Sequence, residues 1–372
     1  MGQIRTETDA DDFLRGANFM SASGGGDPVV ERRQLHEDVQ DGLEIGWVPL
    51  DQFGGDEILF SVCYSGSIAP ESFDDPEERA VALGGGRIYE RPFVEAIRLL
   101  EEVLGVHCGG LVSIELGGIN SGAILSAAAR AGLPLIDGDY AGRAIPELHA
   151  TAPHMHGAPV LPFACVDHFG NEVIIRSSPS NAWAERISKH LALSSLGLIA
   201  CAFAALPAAR VAEIYIPGTM SECLALGRAI REAREGGNDP VAAACEAIGG
   251  VLLFQGNVSG RDWANTGYME GTHELEGTGD FAGHTLSVWF RNENHVTWLD
   301  GQPWAASPDL IEFCDPESGE PLVNTYLQLG QEIAVVGRRR RDQFDSPAGL
   351  ETLGPRHFGF DIEFRGIEEL VA

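Results

Sequence analysis

Lysine is almost missing from this chain: Lys189 is the only one among 25 Lys and Arg residues. That nearly excludes Schiff-base chemistry, which needs a free amine, and no Gly-Lys pair exists for a Walker loop. Cysteine is present but unpatterned. The seven cysteines (63, 108, 165, 201, 223, 245 and 314) are odd in number and never in CxxC spacing. This argues against a zinc ribbon or a disulfide framework and favours a reducing cytoplasm. No GxSxG elbow and no HExxH segment occurs, so serine-hydrolase and zincin readings have little support. The longest uncharged apolar run, Leu191 to Leu206, is short for a bilayer span and reads as a buried helix. The opening MGQIRTETDADDFL has no apolar core of a secretion signal. Thr6 completes a myristoylation pattern, but the acidic continuation makes it a chance match.

Positive charge is the other shortage. Against those 25 basic residues stand 55 acidic ones, a net charge of -30. Such a surface repels nucleic acid and anionic membranes, so neither is expected as a partner. A salt-rich cytoplasm would suit this balance, and a GC-rich genome would give the same preference for arginine. Hydrophobic residues make up 44% of the chain, with 46 glycines and 20 prolines, which indicates a globular, loop-rich protein. At 372 residues, two domains are expected. We read an α/β fold: an N-terminal α/β domain over 1–168 with a mainly parallel sheet, and a C-terminal domain over 169–372. From about Val251 short alternating strands with turn signals appear, as in HTLSVWFRNEN, PDLIEFCD, EIAVVGRR and HFGFDIEF, making that part mainly β. Before it, Ala182 to Leu206 and Met220 to Glu246 read as two helices separated by a strand in RVAEIYIPGT.

The most informative stretch is LPLIDGDYAGRAIPELH, residues 133–149. A short apolar run ending in charge and glycine reads as a parallel strand emptying into a loop at its carboxyl end, where open α/β sheets bind ligands. GLVSIELGGINSGAILSAAARAGLPLIDGD reads as a βαβ unit, which brings Glu115 and the Asp137/Asp139 loop to one sheet edge. Crowded carboxylates are costly unless they hold something or each other. We therefore take Asp137, Asp139, Glu115 and Glu147 as candidate catalytic groups, with Arg143 and Asn120 as candidate substrate ligands. An Asp–Arg ion pair that merely braces the turn is the competing reading. Gly25, Gly26 and Asp27 in SASGGGDP form a loop with exposed amides for an oxygen-rich ligand, or else a helix C-cap. Asn292 and Asn294, in Arg291-Asn292-Glu293-Asn294, would close over the first domain's site or sit in an ordinary hairpin turn. His149, His154 and His156 are the candidate metal ligands, the last two as an extended pair facing one ion; a solvated loop is the alternative.

In order, SGGGDP, ELGGINS, GLPLIDGDYAGRAIPELH, GTMSECLALGRAI, FRNEN, SPDLIEF and GPRHFGFD resemble the S-methyl-thiohydantoin desulfurase-like family over about residues 12–362. The DGDxxGRAxPE string is the most specific part. The resemblance implies an α/β N-terminal domain, a β-rich C-terminal domain, and hydrolytic removal of sulfur from a five-membered thiohydantoin ring. It also implies zinc as a possible cofactor and hydantoinase/oxoprolinase-like proteins as possible partners. We expect no nucleotide cofactor, and a homo-oligomer is the expected assembly. Onto this sequence it carries Asp137, Asp139, Arg143, Glu147, Glu115 and Asn120 as motif residues. Two segments depart from the family pattern: SGSIAPES replaces a Gly-Met-Gly-Ala-Pro-like turn, and TGYMEG replaces a Gly-Phe-Ala-Arg-Gly-like one. With Glu270 where a guanidinium is usual, the substrate's charge would differ. Two functions remain at this point: a hydrolase of a small cyclic amide or thioamide, or a non-catalytic subunit or metabolite-binding protein. Asp139→Asn is expected to abolish turnover under the first.

Overall fold

A computed structural model of the chain describes residues 2–66, 76–265 and 267–370. Among these, two sheets organise the molecule. The first sheet has β1 (Gly2–Ile4), β2 (Ile45–Val48), β3 (Ile58–Gly66), β4 (Gly110–Ser113), β5 (Leu135–Asp139), β6 (Phe163–Val166), β7 (Glu172–Ile175), β8 (Leu198–Pro207) and β9 (Ile216–Pro217). Their order is β1-β2-β5-β4-β3-β8-β6-β7, with β9 on β5. The four strands β2, β5, β4 and β3 pair in parallel, and the pairs flanking them are antiparallel. The second sheet has β10 (Val251–Asn265), β11 (Met269–Gly277), β12 (Thr285–Arg291), β13 (Glu293–Leu299), β14 (Gln302–Ala306), β15 (Leu310–Cys314) and β16 (Glu332–Arg338). It is antiparallel throughout.

The helices are α1 (Glu7–Phe19), α2 (Val29–Gln40), α3 (Pro76–Ala82), α4 (Pro92–Leu104), α5 (Gly118–Ala131), α6 (Ala152–Met155), α7 (Asn181–Ser194), α8 (Ala208–Ile214), α9 (Thr219–Glu235), α10 (Pro240–Ile248), α11 (Pro347–Leu353) and α12 (Ile367–Leu370). The β4-α5-β5 unit stands as the sequence implies, with Gly132 ending α5 in the left-handed conformation that glycine tolerates best. Helix α1 lies directly on α9. A β-carbon at Gly227 would stand 1.7 Å from the Asp12 carbonyl oxygen, so only glycine lets these backbones meet.

Three segments differ from the sequence reading. Ala182 to Leu206 is not one helix: α7 ends at Ser194, Leu196 turns at φ 60°, and the rest is β8. This strand lies between β3 and β6 and is buried on both faces, so its apolar run carries no alternation to betray it. The RVAEIYIPGT segment begins inside α8, and only Ile216–Pro217 form a strand. Met220 to Glu246 breaks at Gly236 and Gly237, and Asp239 then caps α10 through the Val241 and Ala242 amides. HFGFDIEF forms a 3-10 turn and irregular chain rather than a strand. From Ser67 onward, the SGSIAPES turn lies outside the described residues, as does Thr266 of TGYMEG.

The first sheet takes strands from both sides of residue 168. The two halves are joined by the loop after α1. Ala22 and Ser23 adopt positive φ, the Asn294 amide donates to the Ala22 carbonyl, and the Asn324 amide donates to that of Ser23. The Ser23 amide in turn donates to the buried Glu312 carboxylate at 2.7 Å.

Candidate active site

At the carboxyl ends of β3 and β4, under the turn joining β12 to β13, lies a cleft of about 140 Å³. Glu115, Asn120, Glu147, Glu185, Lys189, Tyr268 and Glu293 line its polar side, with Ile114, Phe163, Leu198, Cys63 and Cys201 on the apolar side.

Glu115 follows β4. Its two oxygens accept from the Asn120 side-chain amide at 2.6 Å and the Ile145 backbone amide at 2.9 Å. Asn120 is itself held by the Tyr64 amide, which donates to its Oδ1 at 2.9 Å. Burial pushes the Glu115 carboxyl up to about 7 against those two donors, with the nearby charges of Asp139 and Glu185 adding to the rise. A carboxyl poised near neutrality beside a cavity suits proton transfer.

Glu147 behaves oppositely. Burial would raise it, but His149 and His357 hold it well below the usual carboxylate range. His357 Nε2 is 3.0 Å from its Oε2, and His149 Nδ1 is 3.6 Å away. This carboxylate stays ionised, and it raises His149 in return.

Lys189 lies on α7 one turn beyond Glu185, 2.8 Å from that carboxylate, and donates to the Pro146 carbonyl at 3.3 Å. Its ammonium sits 3.8 Å from the centroid of the Tyr268 ring. Burial would lower its pKa, but Glu185 and Tyr268 outweigh burial and raise it. The amine is therefore a fixed cation rather than a nucleophile.

Glu293 enters from the second sheet. Asn292, at φ 57°, forms the tight turn between β12 and β13 and accepts the Met269 amide on its side chain. The next residue points at the first domain so closely that a β-carbon on Gly24 would stand 2.4 Å from Glu293 Oε1. Burial pushes this carboxyl far up, the charge of Glu115 pushes the same way, and its Oε2 has no hydrogen-bond partner. Burial and Glu115 both favour its protonated form, against the charges of Arg143 and Lys189.

Of the residues selected by sequence, Glu115, Glu147, Asn120, Gly25 and Asn292 meet in this cleft. The others do not line it. Asp137 and Asp139 alternate onto one face of β5, and that face looks toward the start of α9 rather than the open edge. Helix α9 begins at Gly218, which has no side chain to cap it; Asp137 caps it instead, accepting from the Ser221 amide at 3.0 Å and hydroxyl at 2.6 Å. Asp139 is fully buried and accepts the Ala141 and Gly142 amides of its own loop, burial placing it at about 6. Arg143 makes no ion pair with these aspartates. Its donors go to the backbone carbonyls of Ala144, Pro308, Asp309 and Asn294, tying the two sheets together. Asn294 is buried beneath, donating to the Ile311 carbonyl. Gly26 serves its turn at φ 72°, and Asp27 is exposed beside a separate groove with Arg15, Arg32 and Tyr326.

The histidines also part company. His154 lies in the helical turn α6 and His156 caps it, so the extended geometry that would aim both at one ion is absent. His156 is exposed, whereas the His154 ring sits 4.8 Å from that of His149 and its Nδ1 faces the Asn181 amide. Among the described residues no group of three or more His, Cys, Asp or Glu side chains is arranged to hold a metal ion. The donors nearest the cleft, His149, His357 and Glu147, are paired with one another.

Glu185, Lys189, Tyr268, Glu293 and His357 are not among the site residues selected by sequence, although Glu293 lies in the cluster expected to close over the site. The lone lysine, one helical turn past a glutamate, was the available signal.

A mixed α/β domain whose strand-end cleft is closed by a hairpin of an antiparallel β domain defines a two-domain architecture with one polar, acid-lined site. Family models describe both parts: "S-Me-THD-like, N-terminal domain" matches residues 8–177, and "S-Me-THD-like, C-terminal domain" matches residues 179–367. The chain belongs to the S-Me-THD-like family. In fold it is similar to the crystal structure of a protein from Chromobacterium violaceum, 20% identical, with a TM-score of 0.75 over 99% of this chain and 100% of that one. No curated protein matches it.

Proposed function

We propose that the chain is a hydrolase of a small five-membered cyclic amide or thioamide, replacing the C2 sulfur of a thiohydantoin-type ring by oxygen. One observation carries this reading. Two carboxyls, Glu115 half-buried and Glu293 buried, converge on a cleft of about 140 Å³, small beside the several hundred Å³ of a drug-sized pocket, and desolvation raises the first to about 7 and pushes the second up as well. The family supports the thiohydantoin part.

In this scheme Glu115 takes a proton from water as the hydroxide adds to the C2 carbon. Negative charge develops on the ring and is met by the Lys189 ammonium and the Tyr268 hydroxyl side of the cleft. The carbon–sulfur bond then breaks, and Glu293 gives its proton to the departing sulfur. The C2 hydroxyl gives up its own proton, to the ring nitrogen of an S-alkyl substrate or to the sulfur of a thione, leaving a carbonyl. Glu115 then returns its proton to Glu293. Products are a hydantoin and a thiol, or hydrogen sulfide from an unsubstituted thione. Glu147, fixed between two histidines, shapes the site without moving a proton.

The test is to incubate the purified chain, with and without added divalent metals, with thiohydantoins and S-alkyl thiohydantoins, following ultraviolet absorbance and free thiol. Turnover is expected to rise with pH through a group near 7 and to fall roughly 100-fold or more in Glu115→Gln. Saturable binding with no thiol released under any condition would overturn catalysis in favour of a metabolite-binding role.

A further inference from the structure

The apolar floor of the cleft carries a row of sulfur that the hydrolytic scheme leaves unused. Cys63 on β3 stands directly opposite Cys201 on β8, and Cys201 directly opposite Cys165 on β6. Residues opposed across paired strands share a face of the sheet, so all three side chains leave on the same side. Cys63 and Cys201 line the cleft, and Cys165 is buried in the core beside Cys201. The Sγ atoms of Cys165 and Cys201 are only 3.4 Å apart.

We propose that Cys165 and Cys201 are a redox-modification site, a dithiol that a peroxide small enough to enter the cleft converts to an intramolecular disulfide. Opposed residues on neighbouring antiparallel strands keep their β-carbons about 4.5–5.5 Å apart, close to what a disulfide requires, so closure asks for side-chain rotation and a slight approach of β6 to β8. The chemistry balances. The Cys201 sulfur attacks one peroxide oxygen, the O–O bond breaks, and water leaves with a sulfenic acid formed. The Cys165 sulfur then displaces that hydroxyl as a second water. Two thiols have lost two electrons and two protons, and the peroxide has gained them. The contact with Cys165 and burial both push the Cys201 thiol up, which keeps it protonated and slows the first step. The site thus registers sustained oxidation rather than brief exposure. Closing the bond draws Cys201 Sγ off the cleft floor toward β6.

The experiment uses the full chain, reduced and then held in hydrogen peroxide until the half-buried Met155 is oxidised. Remaining thiols are alkylated under denaturing conditions and the digest is mapped by mass spectrometry. The expected result is a Cys165–Cys201 linked peptide pair, two hydrogens lighter than the separate peptides and undone by dithiothreitol. In Cys165→Ser the link vanishes and Cys201 accumulates sulfinic or sulfonic acid. A Cys63–Cys201 link in its place would overturn the assignment, as would full alkylation of both thiols once Met155 is oxidised. The wild-type map decides the matter even if the variant folds poorly.

Discussion

At the scale of single residues, the site shows how far identical side chains diverge under different neighbours. Glu115, Glu147 and Glu293 line one cleft, yet burial with two neutral donors leaves the first near 7, two histidines hold the second low, and burial with a nearby like charge pushes the third up. Lys189 is the sharpest test of this logic. Because Glu185 and Tyr268 keep it charged, it acts electrostatically. Lys189→Met is expected to lower kcat by roughly 100-fold or more with the fold intact. Borohydride added during turnover of the native chain is expected to trap no covalent adduct, and an adduct mapped to Lys189 would refute its role as a cation.

At the scale of elements, the sequence was most legible where one short segment decides the geometry. The β4-α5-β5 unit, Glu115 after its first strand and Asn120 at its helix start were all readable from an apolar run, glycines and a second apolar run. The aspartates misled because the same strand end has two sides. Nothing local says whether residue 137 faces the ligand edge or the start of a helix formed some 80 residues later. Within the Arg291–Asn294 cluster the asparagines drew attention rather than Glu293, and His357 was hidden because it reaches Glu147 only once the second sheet docks. Strand β8 was hidden because a strand buried on both faces looks like a buried helix. This assignment of Asp137 is testable. Asp137→Asn is expected to cost about 1 kcal/mol in denaturant unfolding through the start of α9, with turnover per folded molecule unchanged. A selective loss of turnover would return Asp137 to the catalytic list. Arg143→Met, which abandons four backbone carbonyls, is expected to cost about 3 kcal/mol or more, and an unchanged unfolding midpoint would show that these contacts are dispensable.

At the scale of the whole molecule, the acidic composition acts in two separable ways. A net charge of -30 repels itself across the surface, and salt screens that repulsion. Buried acids are a different matter, because salt does not reach them. Burial raises Glu31 and Glu115 to about 7 from 4.5 and Asp139 to about 6 from 3.8, and it lifts Glu293 and Glu312 as well. Between the unfolded and folded values the folded chain holds protons that the unfolded chain has already released. Stability therefore falls as pH rises through that window, by about 1.4 kcal/mol per pH unit for each such group. Glu147 has the opposite sign: its stabilisation is present above about 4.5 and is lost as pH drops below it. The two tendencies place the stability maximum in mild acid. In about 1 M salt, where the surface term is screened, the melting temperature is expected to be higher at about pH 5.5 than at pH 8, and Glu293→Gln is expected to flatten part of that difference. A melting temperature that stays level or climbs toward pH 8 in high salt would mean these carboxyls are ionised and solvated in the folded chain. The proton-donor role given to Glu293 would then fail with them.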